Sequence, residues 1–176
     1  MEHGFSIARQ PSPVHDAASI QARAQELGRL LSRSHRDRNP LIIGLLSGAF
    51  MFMADLIRSM DISMDADFWR LASYGHGTTS TGYVKELGPL VSSVQERHVI
   101  VVEDIVDTGR TIAHVRSELE RRSAASVTVV ALLQSRRSSV PIDHVGFRCG
   151  PRFVVGYGLD LGGQFRNLPG LYYLDH

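Results

Sequence analysis

The sequence of 176 residues contains a single cysteine and no apolar run long enough to cross a membrane. Because Cys149 has no second cysteine to pair with, an internal disulfide and a zinc site built from cysteines are both excluded. The longest apolar stretch, residues 41–54, is too short to span a bilayer and is interrupted by two glycines and a serine. These absences favour a soluble protein of a reducing compartment, with no membrane partner.

An excess of charge of one sign is missing as well. The 19 lysines and arginines are balanced by 18 acidic residues, which gives a formal net charge of +1. A nucleic-acid-binding domain usually carries a basic excess on one face, so the balance predicts no nucleic acid as a partner. None of the eight histidines shows H-x-H or H-x-x-x-H spacing, so they do not predict a metal site. The first sixteen residues lack the apolar core of a signal peptide, which predicts a cytoplasmic location.

A chain of this length accommodates one domain with a single core, and no internal repeat divides it. The first fifteen residues, which include two prolines, are predicted to form a loose N-terminal arm. Residues 16–176 are predicted to form the domain. Apolar residues recur at intervals of three and four from Asp16 to about residue 36, which predicts a helix capped by Asp16 or Ser19.

Short apolar runs alternate with helical patterns along the rest of the chain. Strands are predicted at LIIGLL (41–46), ADFWRLASY (66–74), HVIVVED (98–104), SVTVVALL (126–133), HVGF (144–147) and FVVGYGL (153–159). Further helices are predicted from residue 49 to about 59 and from 110 to 122. The alternation predicts an α/β fold with a mostly parallel twisted sheet flanked by helices. Ligands bind such sheets beyond the carboxyl ends of the strands.

The most informative segment is VIVVEDIVDTGRTI (99–112). Its strand brings Glu103 and Asp104 to the edge of the sheet, and residues 107–111 begin a helix. The backbone amides of a helix start, a glycine that permits close approach and two threonine hydroxyls suit a phosphate group. The neighbouring carboxylates suit ribose hydroxyls, directly or through Mg²⁺. The segment therefore predicts a ribose 5-phosphate site, although for the acids alone a helix cap and a solvated strand end are the alternative.

The complete string of two apolar residues followed by Glu-Asp-x-x-Asp-Thr-Gly-x-Thr resembles the motif of type I phosphoribosyltransferases that binds phosphoribosyl pyrophosphate (PRPP). Further blocks resemble hypoxanthine-guanine phosphoribosyltransferases in order and spacing, namely GLLSGAFMFMADL (44–56), DFWRLASYGHGTTSTG (67–82) and FVVGYGLDLGGQFRNLP (153–169). The resemblance implies the type I fold with a small hood formed by terminal segments. It also implies Mg²⁺-dependent transfer of 5-phosphoribosyl from PRPP to N9 of hypoxanthine or guanine, giving IMP or GMP and pyrophosphate.

The resemblance implies a role for each matching residue. Asp107 is the acid/base group near the purine N7, and Glu103 and Asp104 lie near the ribose hydroxyls and a bound Mg²⁺. The residues assigned to phosphate groups are Thr108, Gly109, Arg110 and Thr111 for the 5-phosphate, and Leu46, Ser47, Gly48 and Arg166 for pyrophosphate. The pyrophosphate loop is expected to contain a cis peptide bond.

Further roles concern the metal, the lid and the base. Asp160 is implied as the ligand of a second Mg²⁺, and Ser73 and Tyr74 as the start of a lid. Phe153 is implied to stack on the base, and Val154 to read its edge through the backbone. The Gly-rich residues 75–82 of the lid are expected to be mobile. The resemblance also implies a homodimer or homotetramer.

Two positions depart from the family pattern. Ser47 stands where the family usually has lysine or arginine, and Ser135 where it has a lysine that donates to the purine O6. Arg136 or Arg137 is expected to supply the missing cation, so Ser135 and Arg136 are included among the base-binding residues. The alternatives are a phosphoribosyltransferase for another base, such as xanthine or a modified purine, and a regulator that senses PRPP or nucleotides without turnover.

Overall fold

The computed structural model describes residues 12–73, 84–138 and 140–174. In these ranges the helices are α1 Ala17–Ser34, α2 Phe50–Arg58 and α3 Arg110–Arg121. The strands are β1 Ser12–His15, β2 Leu41–Leu46, β3 Asp65–Ser73, β4 Val84–Glu86, β5 His98–Val106, β6 Ser126–Ser135, β7 His144–Cys149, β8 Val154–Val155 and β9 Leu171–Tyr173. The residues predicted to form the mobile lid, 75–82, lie outside the described ranges.

A six-stranded sheet in the order β4-β3-β2-β5-β6-β7 forms the centre of the molecule. Its strands are parallel except for β4, which pairs antiparallel with β3. The predicted mostly parallel α/β fold is therefore confirmed. Because β2, β3, β5, β6 and β7 run in one direction, their carboxyl ends lie at the same edge, which we call the carboxyl edge.

Alternate residues of the central strands pack into two hydrophobic layers, one on each face. One layer contains Ile42, Ile100 and Val130 beneath α1 and α2, and the other contains Ile43, Val101 and Val129 beneath α3. All six side chains are fully buried. Burial on both faces explains why these strands read as continuous apolar runs rather than as alternating patterns.

The first two helices begin and pack as the sequence indicates. The Asp16 carboxylate accepts a hydrogen bond from the Ser19 N–H (2.8 Å), so Asp16 rather than Ser19 is the N-cap of α1. Helix α1 crosses the end of α2 closely at Gly28, where an added β-carbon would lie 2.7 Å from the β-carbon of Ser59. The crossing fixes α2 above the sheet and so fixes the loop that precedes α2.

A second, three-stranded antiparallel sheet, β1-β9-β8, forms a hood from terminal segments. Ser12–His15, predicted as the end of a loose arm, instead form its strand β1. The run 153–159, predicted as one strand, forms only Val154–Val155. After Val155 the chain turns through the positive φ angles of Gly156 (96°), Tyr157 (48°) and Gly158 (98°), which no strand accommodates. In the described ranges, no helix has both the length and the apolarity needed to cross a membrane.

Candidate active site

Four loops meet at the carboxyl edge because the strands before them are neighbours. Residues 46–48 follow β2, residues 107–111 follow β5, residues 135–138 overlap the end of β6, and residues 150–153 follow β7. The ends of the last three strands are in register, with Val106 opposite Gln134 on β6. Ser135 lies opposite Cys149 on β7. The sheet therefore brings together most of the residues to which the sequence assigned a role.

The loop after β2 contacts an acidic side chain of β5. The peptide bond between Leu46 and Ser47 is cis, as the resemblance implied, and Ser47 is exposed. Gly48 lies against the carboxylate of Asp104, so closely that an added β-carbon would come within 1.5 Å of its Oδ2. A larger residue at position 48 would displace either the loop or this carboxylate. The contact places the predicted pyrophosphate loop directly beside a predicted ribose-binding acid.

Glu103 and Asp104 lie within β5, which continues to Val106 rather than ending at residue 104 as predicted. The Asp104 N–H donates to Glu103 Oε1 (3.1 Å), and the Ile105 N–H donates to Asp104 Oδ1 (2.8 Å). Glu103 is 7% exposed, and its burial, followed by the negative charge of Asp104, raises its pKa well above the usual value. The negative charge of Asp104 disfavours that of Glu103, and such a pair of adjacent acids suits a hard cation, which binds oxygen ligands.

The loop 107–111 leads into α3 as the sequence predicts. Gly109 is the N-cap of α3 with a φ of 84°, and Asp107 and Thr108 are exposed. A β-carbon on Gly109 would lie 2.4 Å from Val140 Cγ2, so residues after β6 pack against this loop. The first N–H groups of a helix have no partner within the helix, so Arg110 and Thr111 present amides where an anion could bind.

The segment 156–166 closes over the loop after β2. A β-carbon on Gly158 would lie 2.3 Å from the carbonyl oxygen of Gly48, so the two backbones are in direct contact. Arg166 donates to the Gly158 carbonyl (2.6 Å) and forms an ion pair with Asp160 (2.6 Å). The Gly163 N–H also donates to Asp160 (2.6 Å). The predicted metal ligand Asp160 and the predicted pyrophosphate arginine Arg166 are thus adjacent.

The end of β6 carries the departure from the family pattern. Ser135 is 4% exposed, and its hydroxyl accepts a hydrogen bond from the Arg137 N–H (3.2 Å). The Ser138 N–H donates to the Ser135 carbonyl (3.1 Å), which closes a tight turn with Arg136 and Arg137 exposed at its tip. Neither arginine side chain is directed inward by a hydrogen bond to the described residues. That Arg136 or Arg137 donates to the purine O6 in place of the family lysine stays a prediction.

The remaining base-binding candidates belong to the hood. Val154 is buried and pairs with Tyr173, whereas the Phe153 side chain is 44% exposed and can stack on a ligand. Cys149, at the end of β7, lies near enough to Asp107 for that charge to add to burial in raising the thiol pKa. Asp107 therefore lies near the end of β7.

Ser73 is the last residue of β3 at the carboxyl edge, and Tyr74 lies outside the described ranges. Sequence reasoning missed one interaction at the site, the hydrogen bond from the Tyr157 hydroxyl to Asp55 (2.5 Å). No local pattern could reveal it, because the two residues are 102 positions apart. The available signal was an acid within α2, whose other residues before Arg58 are apolar. Among the described residues, no three His, Cys, Asp or Glu side chains are grouped to hold a metal by themselves.

Comparisons with known proteins agree with this geometry. A family model described as the phosphoribosyl transferase domain matches residues 16–161. The bifunctional protein TilS/HprT of Listeria monocytogenes serotype 4b is 44% identical over 153 residues, or 85% of this chain, and the chain spans 24% of that relative's length. The hypoxanthine-guanine phosphoribosyltransferase of Bacillus subtilis is 42% identical over 153 residues, which are 85% of each chain.

A solved structure also matches most of the chain. The crystal structure of a hypoxanthine phosphoribosyltransferase from Staphylococcus aureus superposes with a TM-score of 0.88 at 35% sequence identity. The superposition covers 93% of this chain and 91% of that chain. On the joint evidence of the acids of β5, the loops that contact them and these matches, the chain belongs to the phosphoribosyltransferase family, among the hypoxanthine-guanine phosphoribosyltransferases.

Proposed function

We propose that the chain is a transferase of purine salvage that moves 5-phosphoribosyl from PRPP to N9 of hypoxanthine or guanine and releases pyrophosphate. The contact between Gly48 and Asp104 is the observation that carries the proposal. It joins a loop of backbone amides, suited to a leaving pyrophosphate, to an acid suited to ribose hydroxyls. The 5-phosphate loop 107–111 begins three residues after Asp104, so one PRPP molecule could contact both loops.

Bond breaking at C1′ of PRPP develops positive charge on the ribose and negative charge on the pyrophosphate. The amides of residues 46–48 would stabilise the negative charge, since fixed donors need no reorganisation during the reaction. Arg166 would assist them. Its guanidinium has five N–H donors, so its bonds to Asp160 and Gly158 leave donors for a pyrophosphate oxygen.

Asp107 would handle the proton of the purine ring. Asp107 is exposed just before α3 and lies near the end of β7, after which the chain leads to Phe153 and the hood strand β8. A base stacked on Phe153 would lie within reach of Asp107, which would hold the ring proton near N7 as N9 bonds to C1′. The lid beginning at Ser73 and Tyr74 would exclude water from the reactive sugar.

We also propose a requirement for Mg²⁺, with Glu103 and Asp104 beside one ion and Asp160 as a ligand of a second. These carboxylates offer the hard oxygen ligands that Mg²⁺ prefers, and the negative charge of Asp104 beside the buried Glu103 favours a cation there. PRPP phosphate oxygens and water would complete the coordination. When bound, Mg²⁺ neutralises part of the negative charge of the diphosphate. We further propose that the enzyme acts in the cytoplasm as a homodimer or homotetramer, with PRPP and a purine base as substrates.

Ser135 favours one alternative, a phosphoribosyltransferase for a different purine, namely a modified purine that lacks a 6-oxo group. Its hydroxyl already accepts the Arg137 amide, and it carries no positive charge to attract a 6-oxo group. The same enzyme chemistry would then serve another base.

The decisive experiment measures pyrophosphate release by the purified chain with PRPP, Mg²⁺ and one purine at a time. Hypoxanthine, guanine, xanthine and adenine are compared, and the nucleotide product is identified by chromatography. Pyrophosphate release with hypoxanthine or guanine supports the proposal, and release only with xanthine or adenine supports a phosphoribosyltransferase for another base. Binding of PRPP without release of pyrophosphate in the presence of any of these purines would indicate a regulator that senses PRPP without turnover.

A further inference from the structure

Tyr157 has an unusual backbone and a buried hydroxyl. Its φ of 48° is in the left-handed region, which is costly for a residue with a large side chain, and its side chain is 7% exposed. The hydroxyl donates to Asp55 Oδ2 at 2.5 Å. Burial, and then the hydrogen bond and charge of Asp55, raise the pKa of Tyr157, so the hydroxyl keeps its proton and remains a donor.

The Tyr157 bond connects two parts of the site that are distant in sequence. Asp55 lies on α2, the helix that begins directly after the loop 46–48. Tyr157 immediately precedes Gly158, whose backbone contacts the carbonyl of Gly48. The chain therefore forms a closed ring: from Gly48 along α2 to Asp55, across the hydrogen bond to Tyr157, and from Gly158 back to Gly48.

The ring joins the two parts of the predicted pyrophosphate site, the loop 46–48 and the segment that carries Asp160 and Arg166. Arg166 donates to the carbonyl of Gly158, and Asp160 follows Gly158 by two residues. The contact between the two glycine backbones has no side chains to lock it. Tyr157 and Leu159 pack in the same core as α2, and the Tyr157–Asp55 bond adds a directional contact that sets the position of one segment against the other. Strand β8 is held separately by its pairing with β9, so the base-stacking side of the site does not depend on the ring.

We propose that the Tyr157–Asp55 hydrogen bond is a positioning element that holds the segment carrying Asp160 and Arg166 in register with the pyrophosphate loop. The inference rests on the proposed function. Loss of the bond should loosen the PRPP side of the site and leave the base side intact. The KM for PRPP should therefore rise while the KM for the purine stays near the wild-type value.

The test compares steady-state kinetics of the wild type, Tyr157→Phe, Asp55→Ala and the double variant. Tyr157→Phe keeps the buried ring and removes only the donor. We expect the KM for PRPP to rise about tenfold, the lower end of what a hydrogen bond to a charged group contributes. The double variant should lose no more than the worse single variant, because both changes remove the same bond. Asp55→Asn retains an acceptor and should lose less than Asp55→Ala.

Two control variants separate positioning from general stability. Arg58 is exposed and forms an ion pair with Asp55. Arg58→Ala removes this ion pair and should leave the kinetics unchanged. Ser32→Ala removes a hydroxyl that accepts the Asp61 N–H (2.9 Å) far from the carboxyl edge, and should lower Tm without raising the KM for PRPP.

Three results would overturn the inference in an active wild type. The first is a KM for PRPP in Tyr157→Phe within twofold of the wild-type value. The second is an increase in this KM in the double variant equal to the combined increases of the two single variants. The third is a rise of this KM in Ser32→Ala as large as in Tyr157→Phe at the same loss of Tm. If Tyr157→Phe does not fold, the comparison of Asp55→Asn with Asp55→Ala decides instead, and equal KM values in those two variants would contradict the inference. A wild type without phosphoribosyl transfer would refute the proposed function itself, which is a different result.

Discussion

Gly48, in the loop after β2, and Asp104, on the neighbouring strand β5, are in such close contact that an added β-carbon would overlap the carboxylate. An alanine at position 48 would place its β-carbon 1.5 Å from Asp104 Oδ2, well inside the distance at which atoms repel. Either the loop 46–48 or the acid must then move. The relationship explains why the glycine is required, and it leads to a direct test.

Gly48→Ala should lower kcat/KM by about 100-fold, because displacing a catalytic group by about 1 Å can have an effect of that size. Steady-state kinetics with PRPP and hypoxanthine would measure the loss. Gly88→Ala is the matched control, since an added β-carbon there meets no atom within 4 Å and should leave the kinetics unchanged. Equal activity of the two variants would contradict the role assigned to the loop.

Asp107→Asn should reduce kcat while leaving PRPP binding close to wild type. The substitution preserves size and most hydrogen-bonding capacity but removes the group that accepts a proton. Losses of general acid–base catalysis are typically about 10²–10⁴-fold. Turnover under saturating substrates gives kcat, and calorimetry with PRPP and Mg²⁺ gives binding. Asp37→Asn, an exposed acid just beyond α1, serves as the control, and an Asp107→Asn variant within threefold of wild type would remove Asp107 from the mechanism.

Activity should require Mg²⁺, and Asp160→Ala should raise the concentration needed for half-maximal activity. We expect a rise of at least about tenfold, since removing even an outer partner of a metal ligand has such an effect. A titration of activity against free Mg²⁺ measures it. Because Asp160 also binds Arg166, Arg166→Gln is needed as a control. A similar rise in Arg166→Gln would point to the ion pair rather than to metal binding, and full activity in excess chelator would exclude the requirement.

Ser135→Lys tests how the purine O6 is bound. A hydrogen bond from a charged group is worth roughly 1.5–3 kcal/mol, which corresponds to about 10–150-fold in affinity. If Ser135 leaves this bond unmade, the lysine variant should bind hypoxanthine more tightly by a factor in that range. The KM for hypoxanthine would show the gain.

Arg136→Ala and Arg137→Ala complete the Ser135 experiment. If one of these exposed arginines donates to O6, its removal should raise the KM for hypoxanthine by a similar factor, and the gain from Ser135→Lys should be small. No response in any of the three variants would mean that another group, or another base, occupies the pocket.

The central sheet and its motif were predictable because their signals are local. β2, β5 and β6 are buried on both faces and appear as uninterrupted apolar runs, and the residues 107–111 that begin α3 carry a specific residue order. The hood was expected from the family resemblance alone, and the residue pattern did not predict its strands. β1, β8 and β9 have two to four residues each and are strands only because they pair with one another.

The positions of side chains within the site were predictable only in part. Glu103 and Asp104 could be placed at the carboxyl edge from the strand pattern alone. The run FVVGYGL was predicted as a strand because its residues are apolar or aromatic, yet the positive φ angles from Gly156 onward turn the chain back. That turn creates the contacts of Tyr157 with Asp55 and of Gly158 with Gly48, and both depend on tertiary structure.

Ser12 and Tyr173 are partners in the hood, so the first and last described strands lie side by side. A short peptide could therefore connect the chain after Leu174 to Ser12 without crossing the central sheet. New termini could then be opened near Gly88, where the surroundings are open, between β4 and β5. Such a circularly permuted chain would begin with β5 and its acids and would supply the loop of Gly48 only after the hood strands, while the order of strands in space stays the same.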